Sequence, residues 1–210
     1  MTTTTTKRGL FIAFEGIDGS GKTTQMQRCA GVLFEASKNN EVLMTREPTR
    51  HFRAMLAHLL QTATPVAMAG GFVSDRRRHV ESTIEPALRN GTHVLCDRYM
   101  LSTMAYQSAQ GVAIEHLREM HVGVLQPDLT ILFDCDPATA AGRRRARDGP
   151  DGGDAFDRDD ALQSKVRDAY LAMAECSGIA VEIVDASKSP DVVASRVRRI
   201  VSELLSSAKK

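Results

Sequence analysis

Short apolar runs recur along the chain, each about the length of one strand: Leu10–Phe14, Val42–Thr45, His93–Cys96, Thr130–Phe133 and Val181–Val184. They are rich in β-branched and aromatic residues, and each gives way to a polar turn and then to apolar positions at helical spacing. Continuous rather than alternating hydrophobicity marks strands buried on both faces, so the pattern predicts a parallel sheet with crossover helices on either side. Helical spacing predicts α-helices over Lys22–Ala36, Ala67–Arg89, Ile114–Leu125, Pro137–Arg147, Asp159–Cys176 and Pro190–Leu205. Within the second of these, Gly70-Gly71 and Pro86 are weak points, because glycine loosens a helix and an internal proline removes a hydrogen bond. The chain shows no internal repeat.

With 210 residues and 42% hydrophobic content, the chain can bury the core of a single α/β domain. Residues 1–8, including the low-complexity run Thr2–Thr6, are expected to form a disordered tail, with 9–210 as the domain. One stretch breaks the strand–helix rhythm, running from Arg143 to Asp154 and from a basic helix end into a Gly/Pro/Asp loop. It reads either as a mobile lid, taken as about 143–157, or as a solvated surface loop. The charge balance of 27 basic against 26 acidic residues offers no global field for nucleic acid or an anionic membrane, so neither is expected as a partner. No apolar run reaches the length of a membrane span, and the opening MTTTTTKRG lacks the apolar stretch of a secretion signal. A cytoplasmic protein is expected. Cys29, Cys96, Cys135 and Cys176 lie dozens of residues apart, without the spacing of a zinc site, and read as reduced core thiols.

The candidate chemistry begins at EGIDGSGKTT, where Gly16, Gly21, Lys22 and Thr23 meet the pattern G-x-x-x-x-G-K-[ST] between a predicted strand and a predicted helix. Glycines there let backbone N–H groups turn around a phosphate, and the positive end of the helix dipole adds to them. The expected nucleotide-binding loop is Gly16, Ile17, Asp18, Gly19, Ser20, Gly21, Lys22, Thr23 and Thr24, with Lys22 on the β- and γ-phosphates and the Thr23 hydroxyl on Mg²⁺. Asp18 is anomalous in an anion cradle, so its carboxylate is expected to point outward. Two readings fit it: a helix-start residue meeting the dipole, or a contact to a second substrate or to a metal-bound water. Arg46 and Arg98 follow the second and third runs, where parallel sheets place their ligand crevice, and together could clamp a second phosphate. Phe72 and Arg76 share one helix face, suited to stacking on a base and bonding its edge, although aromatic residues at that spacing also serve as core.

Taken in order, FEGIDGSGKTTQ, TREP, FVSDRRRHV, GTHVLCDRYMLSTMAYQ and QPDLTILFDCDP resemble the thymidylate kinase family, within the nucleoside monophosphate kinases of the P-loop type. The resemblance runs from about Gly9 to Phe156, with a family-like tail in VDASKSPDVV. It implies an α/β, three-layer P-loop fold with a five-stranded parallel sheet, a homodimer, and Mg²⁺- and ATP-dependent phosphorylation of dTMP to dTDP; the alternatives are a kinase of the same fold acting on another nucleoside monophosphate or deoxynucleoside, and a nucleotide-binding regulatory switch. Carried over residue by residue, Phe72 stacks on thymine and Arg76 bonds its edge. Arg46 and Arg98 hold the dTMP phosphate, and Tyr106 crowds the sugar 2′ position. Ser102, Thr103 and Gln107 complete the pocket, and Asp18 meets the sugar 3′-hydroxyl. Lys22, Arg98 and Asp18, with a lid arginine among Arg143, Arg145 and Arg147, form the catalytic set. The chain departs from the family in placing Gly70-Gly71 where bulky apolar residues are usual, and in a Gly- and Asp-rich lid.

Overall fold

The structure is a computed structural model that describes residues 7–149, 159–176 and 179–207. Five strands form one parallel sheet: β1 (Phe11–Glu15), β2 (Val42–Arg46), β3 (His93–Asp97), β4 (Leu129–Asp134) and β5 (Val181–Asp185). Their order is β2-β3-β1-β4-β5, with β1 at the centre. Alternate side chains of β1 feed two apolar clusters. Ile12 and Phe14 join the larger one, Phe11 and Ala13 the smaller, which is why the run is apolar at every position rather than every second one.

All the predicted strands are present, and each extends beyond its apolar run to one charged residue: Glu15, Arg46, Asp97, Asp134 and Asp185. Backbone pairing continues through these positions, with Arg46 opposite Asp97 and Asp134 opposite Asp185. A rim of charge therefore lines the carboxyl edge of the sheet.

The helices are α1 (Lys22–Ala36), α2 (Arg50–Thr62), α3 (Pro65–His79), α4 (Glu85–Arg89), α5 (Met100–Ala109), α6 (Ile114–Met120), α7 (Pro137–Asp148), α8 (Asp160–Cys176) and α9 (Pro190–Ser207). Where one helix over Ala67–Arg89 is expected, α3 begins at Pro65 and runs into α4 through a π-helical turn, Val80–Ile84. There the Glu85 N–H reaches back to Val80 O, so the turn widens immediately before Pro86 and the proline enters the helix where the ladder is already shifted. Helix α6 stops at Met120, short of the expected Leu125, in a turn where His121 N–H bonds Arg118 O and Gly123 takes φ 75°. Of the stretch read as a lid, the part through Asp148 is the helical end of α7, and 150–158 lie outside the described residues. So do residues 1–6 of the expected tail and the side chain of Cys176. The other three cysteines are free and buried, as a core role requires.

Candidate active site

The loop between β1 and α1 turns on three left-handed glycines, Gly16 (φ 137°), Gly19 (φ 88°) and Gly21 (φ 92°). A side chain would collide at two of them. A Cβ on Gly16 would lie 2.6 Å from Phe133 O, and one on Gly19 2.2 Å from Ala140 O. Gly21 is the N-cap of α1 and offers no side-chain cap, which leaves the first N–H groups of the helix available to an anion. Lys22 is buried, and its Nζ donates to Gly16 O at 2.9 Å and Ile17 O at 2.8 Å. Burial first, then the neighbouring Arg98 cation, pull its pKa down to about 8. Ile17 is core, Thr24 lines the cleft, and the buried Ser20 Oγ has no partner among the described residues.

The loop forms one wall of a cleft of about 860 Å³ at the carboxyl edge of the sheet. Across it stand the strand-end residues. Arg98 follows β3 with φ 69°, the one non-glycine in the left-handed region among the described residues, held by a bond from its N–H to Phe14 O at 2.9 Å. Its guanidinium donates to Gly16 O at 3.2 Å and lies 5.4 Å from the Tyr106 ring centre. Arg46 pairs with Asp97 at 2.9 Å, and Thr23 Oγ1 donates to the same carboxylate oxygen at 2.9 Å. Burial alone would raise the Asp97 pKa, yet Lys22, Arg98 and Arg46 together hold it below the usual value. Its other oxygen, Oδ1, is buried without a partner among the described residues. The Thr23 hydroxyl and the Asp97 carboxylate are hard oxygen donors of the kind Mg²⁺ takes, and the spare Oδ1 gives a reason to expect one there. Glu47, His79 and Cys96 also lie within 4.8 Å of one another. They form a closed set instead, since His79 bonds Glu47 and Thr45 while Cys96 donates to Arg98 O.

Asp18 does face the cleft, and its Oδ2 accepts from Arg147 at 3.0 Å. Burial would raise its pKa, but Lys22, Arg98 and Arg147 outweigh that and lower it. Of the three candidate arginines on α7, only Arg147 lines the cleft. Arg143 is docked elsewhere, donating to Ala186 O at 2.7 Å, and Arg145 is exposed.

The far end of the cleft is built by α3 and α5. Phe72 lines it and packs on Phe52, ring centres 5.1 Å apart. Both amide atoms of Gln107 are buried there without a partner among the described residues, an opening for a polar ligand edge. Arg76 is more than a reader of such an edge. Its Nε donates to Glu47 at 2.7 Å, one amino group to His121 Nε2 at 2.7 Å, and the other to Tyr99 O and Thr103 Oγ1. Leu117 O accepts from His121 Nδ1 at 2.6 Å, so Nε2 is the acceptor and the ring is neutral. Burial and then Arg76 take its pKa down to about 4. Four of the guanidinium's donors are thus held within the protein, and one N–H is left for a ligand. Ser102 is likewise engaged, its hydroxyl bonded to Glu15 at 2.5 Å and to Tyr170 at 2.7 Å. Glu15 lies fully buried beneath the loop with its pKa raised by that burial, and it also accepts from Tyr99 N and Ser102 N.

Sequence reasoning did not single out Asp97, Glu47, Glu15 or Arg53, of which Arg53 is a further cation on the cleft wall. The signal for three of them was a charged residue closing, or just past, an apolar run.

A glycine cradle opening a helix at the central strand, facing arginines across one cleft, defines a nucleotide-binding protein of the P-loop class. A family model described as thymidylate kinase matches residues 14–197. Thymidylate kinase of Nitratidesulfovibrio vulgaris (strain DSM 19637 / Miyazaki F) is 38% identical, over 94% of this chain and 98% of its own length. That of Trichlorobacter lovleyi is 37% identical over 90% and 94%, and a probable thymidylate kinase of Pyrococcus abyssi is 39% identical over 80% and 84%. The chain belongs to the thymidylate kinase family.

Proposed function

We propose that the protein transfers the γ-phosphoryl group of ATP to dTMP, giving dTDP, with Mg²⁺ bound at Thr23 and Asp97. The observation that carries this reading is the single cleft in which Lys22 and the glycine loop face Arg46 and Arg98, room for a donor and an acceptor phosphate together. The acceptor phosphate is already an anion, so the reaction needs no general base, and positioning with charge neutralisation sets the rate. Lys22 exchanges its two carbonyl partners for phosphate oxygens, and Arg98 and Arg46 orient the acceptor. Mg²⁺, when bound, neutralises charge on the phosphates. Phe72 stacks on the base, Gln107 and the remaining Arg76 N–H meet its edge, and Tyr106 excludes a ribose 2′-hydroxyl.

Steady ADP release that depends on added monophosphate, fastest with dTMP among dTMP, CMP, AMP and UMP, is the expected result. Release independent of the acceptor, or equal on all four, overturns the reading. No described helix is long and apolar enough to cross a membrane. The reading extends to a cytoplasmic homodimer, which rests on the resemblance to the thymidylate kinase family.

We propose two further roles, supported by the pairing of Asp18 with Arg147 at the cleft: Asp18 accepts a hydrogen bond from the sugar 3′-hydroxyl, and Arg147 moves onto the transferring phosphate. With dTMP and its 3′-deoxy analogue as acceptors, Asp18→Ala should lose kcat/KM mainly on dTMP. Arg147→Ala should lower kcat on both by about 10²-fold, while Arg143→Ala stays within about threefold. Equal losses of Asp18→Ala on both acceptors, or full turnover by Arg147→Ala, would reverse those roles.

A further inference from the structure

Helix α2 supplies part of the cleft wall through Leu56, Ala57 and Leu60, yet Phe52 is its only buried residue. Its start is pinned by Thr49, whose N–H and hydroxyl both bond Asp75 on α3, at 2.8 and 2.6 Å. One turn further on, the Phe52 ring lies against α3 at Gly71, where a Cβ would meet its Cζ at 2.8 Å and Cε2 at 3.0 Å. No unstrained Cβ contact is that short, so the missing side chain at position 71 is what admits the ring. The same ring meets Phe72 at a 44° tilt. Phe52 therefore takes the space that a side chain at position 71 would fill, whereas a Cβ at Gly70 would meet nothing within 4 Å, and it backs the aromatic residue that faces the acceptor.

We infer that Phe52, seated in the notch at Gly71, is a positioning residue that sets the tilt of Phe72 and with it the width of the slot for the acceptor's base. The inference rests on the reading of the cleft as a nucleoside monophosphate site with Phe72 on the base. It differs from a packing role in what it moves: the notch lies on the acceptor side of the cleft, away from Lys22 and the loop, so the ATP half of the reaction is left alone. It also couples two positions. A methyl group at 71 displaces the Phe52 ring, whereas a smaller side chain at 52 makes room for it.

The test is a kinetic cycle on full-length wild type, Phe52→Ala, Phe52→Leu, Gly71→Ala and the double variant Gly71→Ala/Phe52→Leu, each checked for a cooperative thermal transition. Phe52→Ala and Gly71→Ala should each raise KM for dTMP about tenfold, with KM for ATP and kcat within about twofold, since an aromatic pair of this kind contributes about one such factor. Phe52→Ala should also lower the preference for dTMP over the larger dGMP, because the backing of the slot is gone. The double variant should recover much of the loss in Gly71→Ala. Unchanged dTMP kinetics in folded Phe52→Ala, a parallel rise in both KM values, or additive losses in the double variant would overturn the inference. If Phe52→Ala does not fold, Phe52→Leu and Gly71→Ala decide it alone. A wrong acceptor assignment would show first in the wild type, as a preference for another monophosphate, and the same cycle then runs on that acceptor.

Discussion

Lys22→Met should leave a folded protein whose kcat/KM is lower by about 10²–10³-fold, the usual effect of removing one preorganised donor from developing charge. The methyl-ended chain keeps the packing of a buried stem while losing the bonds to Gly16 O and Ile17 O. Nucleotide binding should also follow pH. With the free enzyme's Lys22 at a pKa of about 8, phosphate contact raises that value, so binding takes up a proton above pH 8 and affinity falls as pH rises through it. Calorimetry of ATP binding at pH 8.5 in two buffers of different ionisation enthalpy measures the uptake, and Lys22→Met should abolish it. The same depression acts on folding with a definite sign. Between pH 8 and the unfolded value of 10.5 the unfolded chain binds more protons at this residue, so the lysine's contribution makes the wild type gain stability with pH relative to Lys22→Met. Equal turnover of wild type and variant would remove Lys22 from the reaction, and proton uptake surviving in the variant would assign the titration to another group.

Arg76→Ala should destabilise the fold by about 3–5 kcal/mol, the range found when one partner of a buried ion pair is removed. Glu47 would lose its nearest cation in a site 4% exposed, and His121 Nε2, Tyr99 O and Thr103 Oγ1 would each lose their donor. Arg76→Lys should rescue little of this, because an ammonium cannot present donors in the planar fork that these partners occupy. Urea unfolding measures it. An unchanged midpoint with lost dTMP use would mean that the residue serves only the substrate, as position on the helix face alone had suggested.

That difference shows what one-dimensional pattern reveals. The spacing of Phe72 and Arg76 places both on one helix face, and the cleft does contain both. Spacing does not say that Glu47 and His121, 29 residues before and 45 after, converge on the guanidinium. Each predicted strand stopped one residue short for a related reason: hydrophobicity ends where a charge begins, but backbone pairing does not. Helix α5 was missed because it buries nearly every face, including Leu101, Ser102, Thr103 and Met104 in succession, so no helical period survives. The case of α2 is different. Phe52, Met55, Leu56, Leu59 and Leu60 carry the helical period plainly, and Thr49 caps the helix, so this element was there to be read. The shape of the glycine loop was legible because it is local: the three left-handed glycines that turn it, Gly16, Gly19 and Gly21, lie within six residues of one another and open directly into α1.

The left-handed backbone at Arg98 carries a consequence for anyone who engineers this protein. Holding an arginine at φ 69° costs on the order of 1–2 kcal/mol that glycine would not incur, and glycine would keep the backbone bond to Phe14 O. Selection for heat resistance alone would thus favour exchanging the residue proposed to orient the acceptor, and libraries screened without a turnover assay would drift toward sturdy variants that have lost it.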